Sequence, residues 1–322
     1  MKALTRRTAV AALFLATTLG NAMAGSFPSK PIQIVITSTP GSASDAITRV
    51  LGVEVTKALG QPIIVISKAS SAGTIGADFV RRAAPDGYTL FFGGNTTMAA
   101  NVFLVKNMTY DPLKDFTPIT QVSINPLLLV VRSGLPVKSV SELVAYAKGH
   151  PGEMNYGVGN SGGRVAAQLM QQITGMKAQD ISFNGASQAA LELVAGRLDF
   201  MFVDPLVVDA FVKQGVLRPL AVTSSVRLPS MPEIPTMKEA GVAGYDYASW
   251  LAYYAPSGTP KAVVDKLDAA FVKAINTPEA QDYFLRMGMI GHGSTPEGLT
   301  EFNKSQIASW ERWVKESGLQ PQ

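Results

Sequence analysis

The 322-residue chain has no cysteine and only two histidines, His150 and His292. Without thiols it can form no disulfide, no thiolate metal site and no cysteine nucleophile, and no lipid-modified cysteine can follow a leader. With so few imidazoles, only scattered carboxylates remain as ligands for a transition metal, so no metal and no cofactor are expected. Long apolar runs are scarce as well. The one at the N-terminus is too short to cross a bilayer as a helix, and no later run is long and charge-free enough to do so.

The N-terminus supplies much of the chain's apparent basicity. MKALTRR gives a basic start, TAVAALFLATTLG an apolar centre and Ala22-Met23-Ala24 a small-x-small cleavage site, the pattern of a cleavable secretory signal over residues 1–24. The pair Arg6-Arg7 lacks the Phe-Leu that a twin-arginine leader would place after it. Removing this segment takes away Lys2, Arg6 and Arg7 and no acid, so 28 basic against 24 acidic residues become 25 against 24. A nucleic-acid partner loses its compositional support, and a soluble periplasmic protein, read as a monomer, is expected.

The 298 residues that remain, 322 minus 24, exceed what one core usually serves and suggest two lobes. Short β-rich runs alternate with helical patterns: IQIVIT, a helix near 45–59, PIIVIS, a helix near 75–84, then YTLFFG. The first helix carries an apolar stripe, Ile47, Val50, Leu51, Val55, Ala58 and Leu59, and ends at Gly60 before Pro62. A second cycle begins near 124 with PLLLVVR, then MNYGV, ISF and LDFMFV, with helices near 139–148, 164–174 and 187–195. A Pro- and Gly-rich surface segment leads to SWLAYYAP and to helices near 260–275, 278–287 and 296–315. The reading divides the chain into a first lobe, 25–123, a second lobe, 124–224, and a return segment, 225–322, with a cleft and hinge between the lobes.

In such sheets ligands sit beyond the carboxyl ends of the strands, where helices begin. The loop Pro40-Gly41-Ser42-Ala43-Ser44-Asp45 lies at such a place, where free amides and hydroxyls can hold an anion without a basic residue; Asp45 reads as the helix N-cap. A second strand-to-helix loop, Asn160-Ser161-Gly162-Gly163-Arg164, would face it across the cleft, and Arg164 adds a guanidinium able to clamp a carboxylate in a bidentate pair. Each stretch also has a plain reading, as a capped helix start or a solvated first-turn cation. Further polar loops contribute Ser71, Ala72, Thr74, Asn95, Thr97, Asn184 and Asp204. Phe27 offers an apolar wall or, more simply, packing for the first strand.

The second loop also matches two enzyme patterns. Gly157, Gly159 and Gly162 spell a dinucleotide fingerprint with Asp180 beyond it. Gly159-x-Ser161-x-Gly163 spells a nucleophile elbow, for which Asp204 and His292 would complete a hydrolase triad in chain order. A secreted serine hydrolase is therefore the alternative to a binding protein.

In order along the chain, FPSKPIQIVITSTPGSASD, SSAGTIGADFVRRAAPDGYTLFFGG, YDPLKDFTPI, FNGASQAALELVAGRLDFMF, LAVTSSVRLPSMPEIPTMKEAG and LAYYAPSGTPKAVVDKL resemble the solute receptors of tripartite tricarboxylate transporters, the Bug family. The resemblance covers almost the whole mature chain. It implies an α/β, two-lobed periplasmic binding protein of the type II, Venus-flytrap kind, each lobe a mixed sheet flanked by helices, and not an enzyme. It also implies capture of a small organic carboxylate, expected to be a dicarboxylate or an aromatic carboxylate, and its delivery to the membrane components of a transporter. Carried onto this chain, the pincers are 40–44 and 160–164, with 70–74, 95–97, Asn184, Gly185 and Asp204 completing the wall. The chain departs from the family pattern in its Thr- and Ser-rich first loop and in Phe183-Asn184-Gly185 where Tyr-Lys-Gly is common.

Overall fold

The computed structural model describes residues 27–70, 72–245 and 247–317. The expected leader, 1–24, and the expected site residue Ser71 lie outside the described residues. The chain runs β1 (Ile32–Ile36), α1 (Ala43–Leu59), β2 (Ile63–Ser67), α2 (Thr74–Arg81) and β3 (Thr89–Gly94). A π-helical turn, Thr96–Ala100, passes into α3 (Asn101–Leu104) and then β4 (Phe116–Asn125). The next stretch is β5 (Leu128–Arg132), α4 (Val140–Gly149), β6 (Asn155–Val158), α5 (Ser161–Thr174), β7 (Gln179–Ser182), α6 (Ala186–Val194), β8 (Phe200–Val203), α7 (Pro205–Lys213) and β9 (Leu217–Val222). The chain closes with β10 (Ser249–Pro256), α8 (Lys261–Ile275), α9 (Pro278–Arg286), β11 (Ile290–Gly291) and α10 (Pro296–Ser317).

These strands form two mixed sheets, in the orders β11-β4-β10-β3-β1-β2 and β7-β6-β8-β5-β9. In the first, β1 runs parallel to β2 and β3, and β10 is antiparallel to β3 and β4. In the second, β6 is parallel to β7 and β8, whereas β5 is antiparallel to β8 and β9. Parallel neighbours need crossover helices, which is why apolar stripes alternate with β-branched runs in the sequence. The stripe of α1 behaves as expected: Ile47, Leu51 and Val55 are buried against the first sheet, and Gly60, in the left-handed region, caps the helix by donating to the Thr56 carbonyl at 2.8 Å.

The first sheet retains the chain through Asn125 and takes it back at Ser249. The chain thus passes between the sheets at 126–127 and again over 223–248. The two crossings are tied together: the Leu127 amide donates to the Thr223 hydroxyl at 2.8 Å, and the Thr223 amide donates to the Leu127 carbonyl at 2.9 Å. The last helix, α10, binds the first sheet through Asn303, whose side-chain carbonyl accepts from Tyr254 at 3.0 Å. Phe27 packs edge-on against Tyr88, which is the plainer of its two readings.

Asp268, half-buried on α8, has one carboxylate oxygen buried without a partner. Burial raises its pKa to about 6; the Thr120 hydroxyl opposes the shift, and Asp265 and Glu297 add to it. The folded state therefore favours the protonated acid. The resulting penalty is absent below the unfolded value, grows as pH rises towards 6 and is complete above it. Asp268→Asn is accordingly expected to raise Tm by about 2 °C at neutral pH, with the gain vanishing towards pH ~4. An equal gain at both pH values in a melting series would contradict this.

Candidate ligand-binding site

The carboxyl ends of β3, β6 and β8 open on one cavity of about 200 Å³ between the two sheets. The first lobe contributes Asn95, Thr96 and Ala100 just after β3, Ser249 at the start of β10, and Trp310 from α10. The opposite wall is Asn160 and Gly162 at the start of α5 and Asp204 at the start of α7, and Leu127 and Tyr247 come from the two crossings. Antiparallel pairing explains the convergence: Leu251 lies opposite Gly94 and Leu128 opposite Val203, so β10 and β5 begin where β3 and β8 end.

Each wall is set by local hydrogen bonds. Asn95 is buried, and its side-chain carbonyl accepts the Trp310 indole N–H at 2.8 Å. That bond commits the carbonyl face of the amide and leaves its NH₂ group to donate. Asn160 caps α5 by accepting the Gly163 amide at 2.8 Å. Tyr247 is buried; burial, and then the nearby Asp204 carboxylate, push its phenol pKa well up, so the hydroxyl stays protonated. Asp204 stands at the N-cap of α7 with no side-chain cap bond, and burial raises its pKa. Among the described residues it is the sole charged side chain in the wall. Trp310→Phe is expected to remove most of any ligand-induced change in tryptophan emission, because Trp310 is the one tryptophan among the described wall residues; a full change in the variant would move the site elsewhere.

Of the expected site residues, the cavity brings together Asn95, Gly162 and Asp204, with Asn160 beside them. The first loop stands outside its wall. Pro40, Gly41 and Ala43 are exposed, and Ser42 and Ser44 are half-buried. Ser42, not Asp45, is the N-cap of α1; it accepts the Asp45 amide at 3.3 Å and lies 2.7 Å from the Ser38 hydroxyl. Asp45 instead sits in the first turn, accepts the Gly41 amide at 2.9 Å and pairs with Arg49 at 2.9 Å. The helix start thus already faces a carboxylate of the chain itself. Thr97 is buried and turned to its own strand end, where its hydroxyl accepts the Gly94 amide at 3.1 Å.

Ala72 precedes α2 and Thr74 opens it; Asn101, at the start of α3, donates to the Ala72 carbonyl at 2.7 Å, and Tyr110 donates to the Thr97 carbonyl of the π-helical turn at 2.7 Å. Gly163 is buried in the first turn of α5, and Asn184 is exposed before α6. Ser161 opens α5. Arg164 points along the second sheet, donating to Asp180 at 2.8 Å and to the Ser182 hydroxyl at 2.6 Å. Asp180, the acid of the dinucleotide fingerprint, is therefore already held by Arg164. His292 is exposed beside β4, bonded through its amide to the Val122 carbonyl at 3.0 Å, and no histidine is among the described residues that line the cavity. The cavity's polar groups can bind and orient an acid, but among the described residues they include no nucleophile–base pair.

Sequence reasoning did not find Tyr247, Ser249 and Trp310. The indole that orients Asn95 lies 215 residues away in sequence, and only the order of the strands brings it there. An aromatic stripe near the C-terminus was the available signal, and it reads equally as core.

Two mixed α/β lobes around a polar cleft at their strand ends define a two-lobed solute-binding protein. The chain belongs to the tripartite tricarboxylate transporter family receptors, which it matches over residues 47–319. It is 30% identical to Protein BugT of Bordetella pertussis, over 98% of each chain. Among solved structures it is similar to R. palustris Rpa4515 with adipate, at 30% identity and TM-score 0.74, covering 92% of this chain and 100% of that one. It is also similar to MatC (Rpa3494) from Rhodopseudomonas palustris with bound malate, at 30% identity and TM-score 0.69, covering 89% and 100%. The protein is a solute-binding receptor of this family, whose members are periplasmic binding proteins and not enzymes.

Proposed function

We propose that this receptor captures a small organic carboxylate, a dicarboxylate or an aromatic one, between its lobes and hands it to the membrane components of a tripartite tricarboxylate transporter. The observation behind this reading is the cavity shared by Asn95, Asn160, Gly162 and Asp204 at facing strand ends. Its volume of about 200 Å³ lies below the roughly 300–1,000 Å³ of pockets for drug-sized molecules, which suits a short acid. The adipate and malate bound to similar proteins support the carboxylate class. The family description supports the transporter as partner.

The Asn95 amide and the first-turn amides of α5 hold one carboxylate, the latter with the positive end of the helix behind them. The loop 40–44, Ala72, Thr74 and Asn184 meet the ligand as the lobes close, since their elements start at the same sheet ends. The segments 25–123 and 225–322 move as one body against 124–224, about the paired crossings at Leu127 and Thr223. Closure is a population shift towards the state that binds the acid better. The chain reaches the periplasm through the leader read at residues 1–24 and works there as a monomer.

A thermal-shift screen against aliphatic and aromatic mono-, di- and tricarboxylates tests the reading. Acids that bind should raise Tm by an amount that grows with the logarithm of concentration over Kd, about 2.7 kcal/mol at a hundredfold excess. They should also be recovered chemically unchanged. No shift with any acid, or turnover of the added compound, would overturn it.

A further inference from the structure

The cavity holds an acid and yet presents a carboxylate of its own. Asp204 is half-buried, caps nothing with its side chain and has no ion-pair partner among the described residues. The basic side chains nearest in sequence to the two expected pincers are committed elsewhere: Arg49 to Asp45, and Arg164 to Asp180 and Ser182. The rest of the wall is uncharged among the described residues, and its Tyr247 hydroxyl lies close to Gly162. A bound carboxylate would therefore share a space of about 200 Å³ with a second anion, and no side chain among the described wall residues carries a charge that neutralises either one. A cation brought by the incoming molecule resolves the conflict, because its ammonium can pair with Asp204 while its carboxylate takes the amides of the facing wall.

We propose that Asp204 is the specificity-determining residue of this cavity and that it selects acids carrying a hydrogen-bond donor beside the carboxylate: an ammonium first, a hydroxyl second, over acids of equal length with neither. This rests on the carboxylate-receptor reading and narrows it to amino and hydroxy acids. The donor fills the role that a basic residue plays in sites built for simple dianions. Asp204 is suited to the task because, among the described residues, only its own backbone amide bonds its carboxylate and no cationic side chain pairs with it. Burial, which raises its pKa, also strengthens the pull of any cation placed against it.

Two matched series test the proposal by titration calorimetry at neutral pH: succinate, malate and aspartate, and glutarate, 2-hydroxyglutarate and glutamate. In at least one series the wild-type protein should bind the ammonium-bearing member at least tenfold more tightly than the plain diacid, with the hydroxy acid between. Asp204→Asn keeps the side chain's shape and removes its charge. It should compress the spread to within about twofold, weakening the amino acid and strengthening the plain diacid. Asp204→Ser, measured alongside, guards against a folding defect in the first variant, and the melting temperature of each ligand-free variant checks it directly.

Equal wild-type affinity for plain and amino diacids overturns the proposal and leaves the receptor reading standing. So does an Asp204→Asn protein that keeps the preference. If plain diacids bind best and only below the Asp204 pKa, the side chain acts as a neutral donor and the proposal fails in that way. Failure of every acid in both series, and in the wider screen, overturns the reading of the cavity and this proposal with it.

Discussion

Gly162→Val is expected to weaken acid binding about a hundredfold, about 2.8 kcal/mol, while leaving the ligand-free melting temperature within about 2 °C. Gly162 sits in the first turn of α5 with the cavity in front of it. A Cβ there would lie 3.2 Å from the Tyr247 hydroxyl, 3.4 Å from the Asn160 side-chain oxygen and 3.9 Å from Leu127. All three are cavity residues, so the further methyls of valine must enter the space a ligand needs. The substitution also screens the amides of α5 from an incoming carboxylate. Its backbone cost is small, since valine is a better helix residue than glycine by a few tenths of a kcal/mol. Gly162→Ala should fall between, because only a small shift of Tyr247 is needed. Unchanged affinity in the valine protein would show that ligands do not occupy this cavity.

The largest loss of stability is expected from Gly94→Ala. Gly94 ends β3 opposite Leu251 of β10, and a Cβ on it would stand 2.2 Å from the Trp250 carbonyl oxygen. That neighbour is backbone and cannot rotate away, so β10 must move. Trp250 is fully buried, and β10 is the strand by which the chain re-enters the first sheet beside the cleft. Overpacking of this kind costs about 3 kcal/mol, or a fall in Tm of roughly 5 °C for a chain of about 300 residues. Gly149→Ala is the control: nothing lies within 4 Å of its Cβ position, and it ends α4 at the surface. It should be neutral or slightly stabilising. Equal effects from both substitutions in a denaturation series would refute the packing argument.

Much of the architecture was legible because strands and crossover helices write different periods into the sequence. The stripe of α1, its glycine stop and the three C-terminal helices all appear close to where those periods place them. The strand β4 escaped because FTPITQVSIN mixes Thr, Gln and Ser with its apolar residues, and those polar groups are buried by pairing with β10 rather than by composition. The helix α7 escaped although Pro205 stands at its first position, since PLVVDAFV also reads as a continuation of the strand before it. For the site, residues that follow a strand directly, such as Asn95 and Asp204, were legible from local order. The other half of the wall depends on which strands become neighbours. Tyr247 and Trp310 arrive from the return segment, and no local pattern distinguishes them from ordinary core aromatics. The charge of Arg164 was visible, but its commitment to Asp180 was not, because that pair forms between a helix start and an adjacent strand.

On the proposed reading a small acid is gripped between facing strand ends, with Asn95 on one side and the start of α5 on the other. A crystal structure grown with the acid that raises Tm most would test it directly. A carboxylate is expected within hydrogen-bonding distance of the Asn95 side-chain nitrogen and an amide of the 161–163 turn, with Asp204 and Tyr247 around the rest of the molecule. Density for the acid at the exposed 40–44 turn alone, or anywhere outside the cleft, would contradict it.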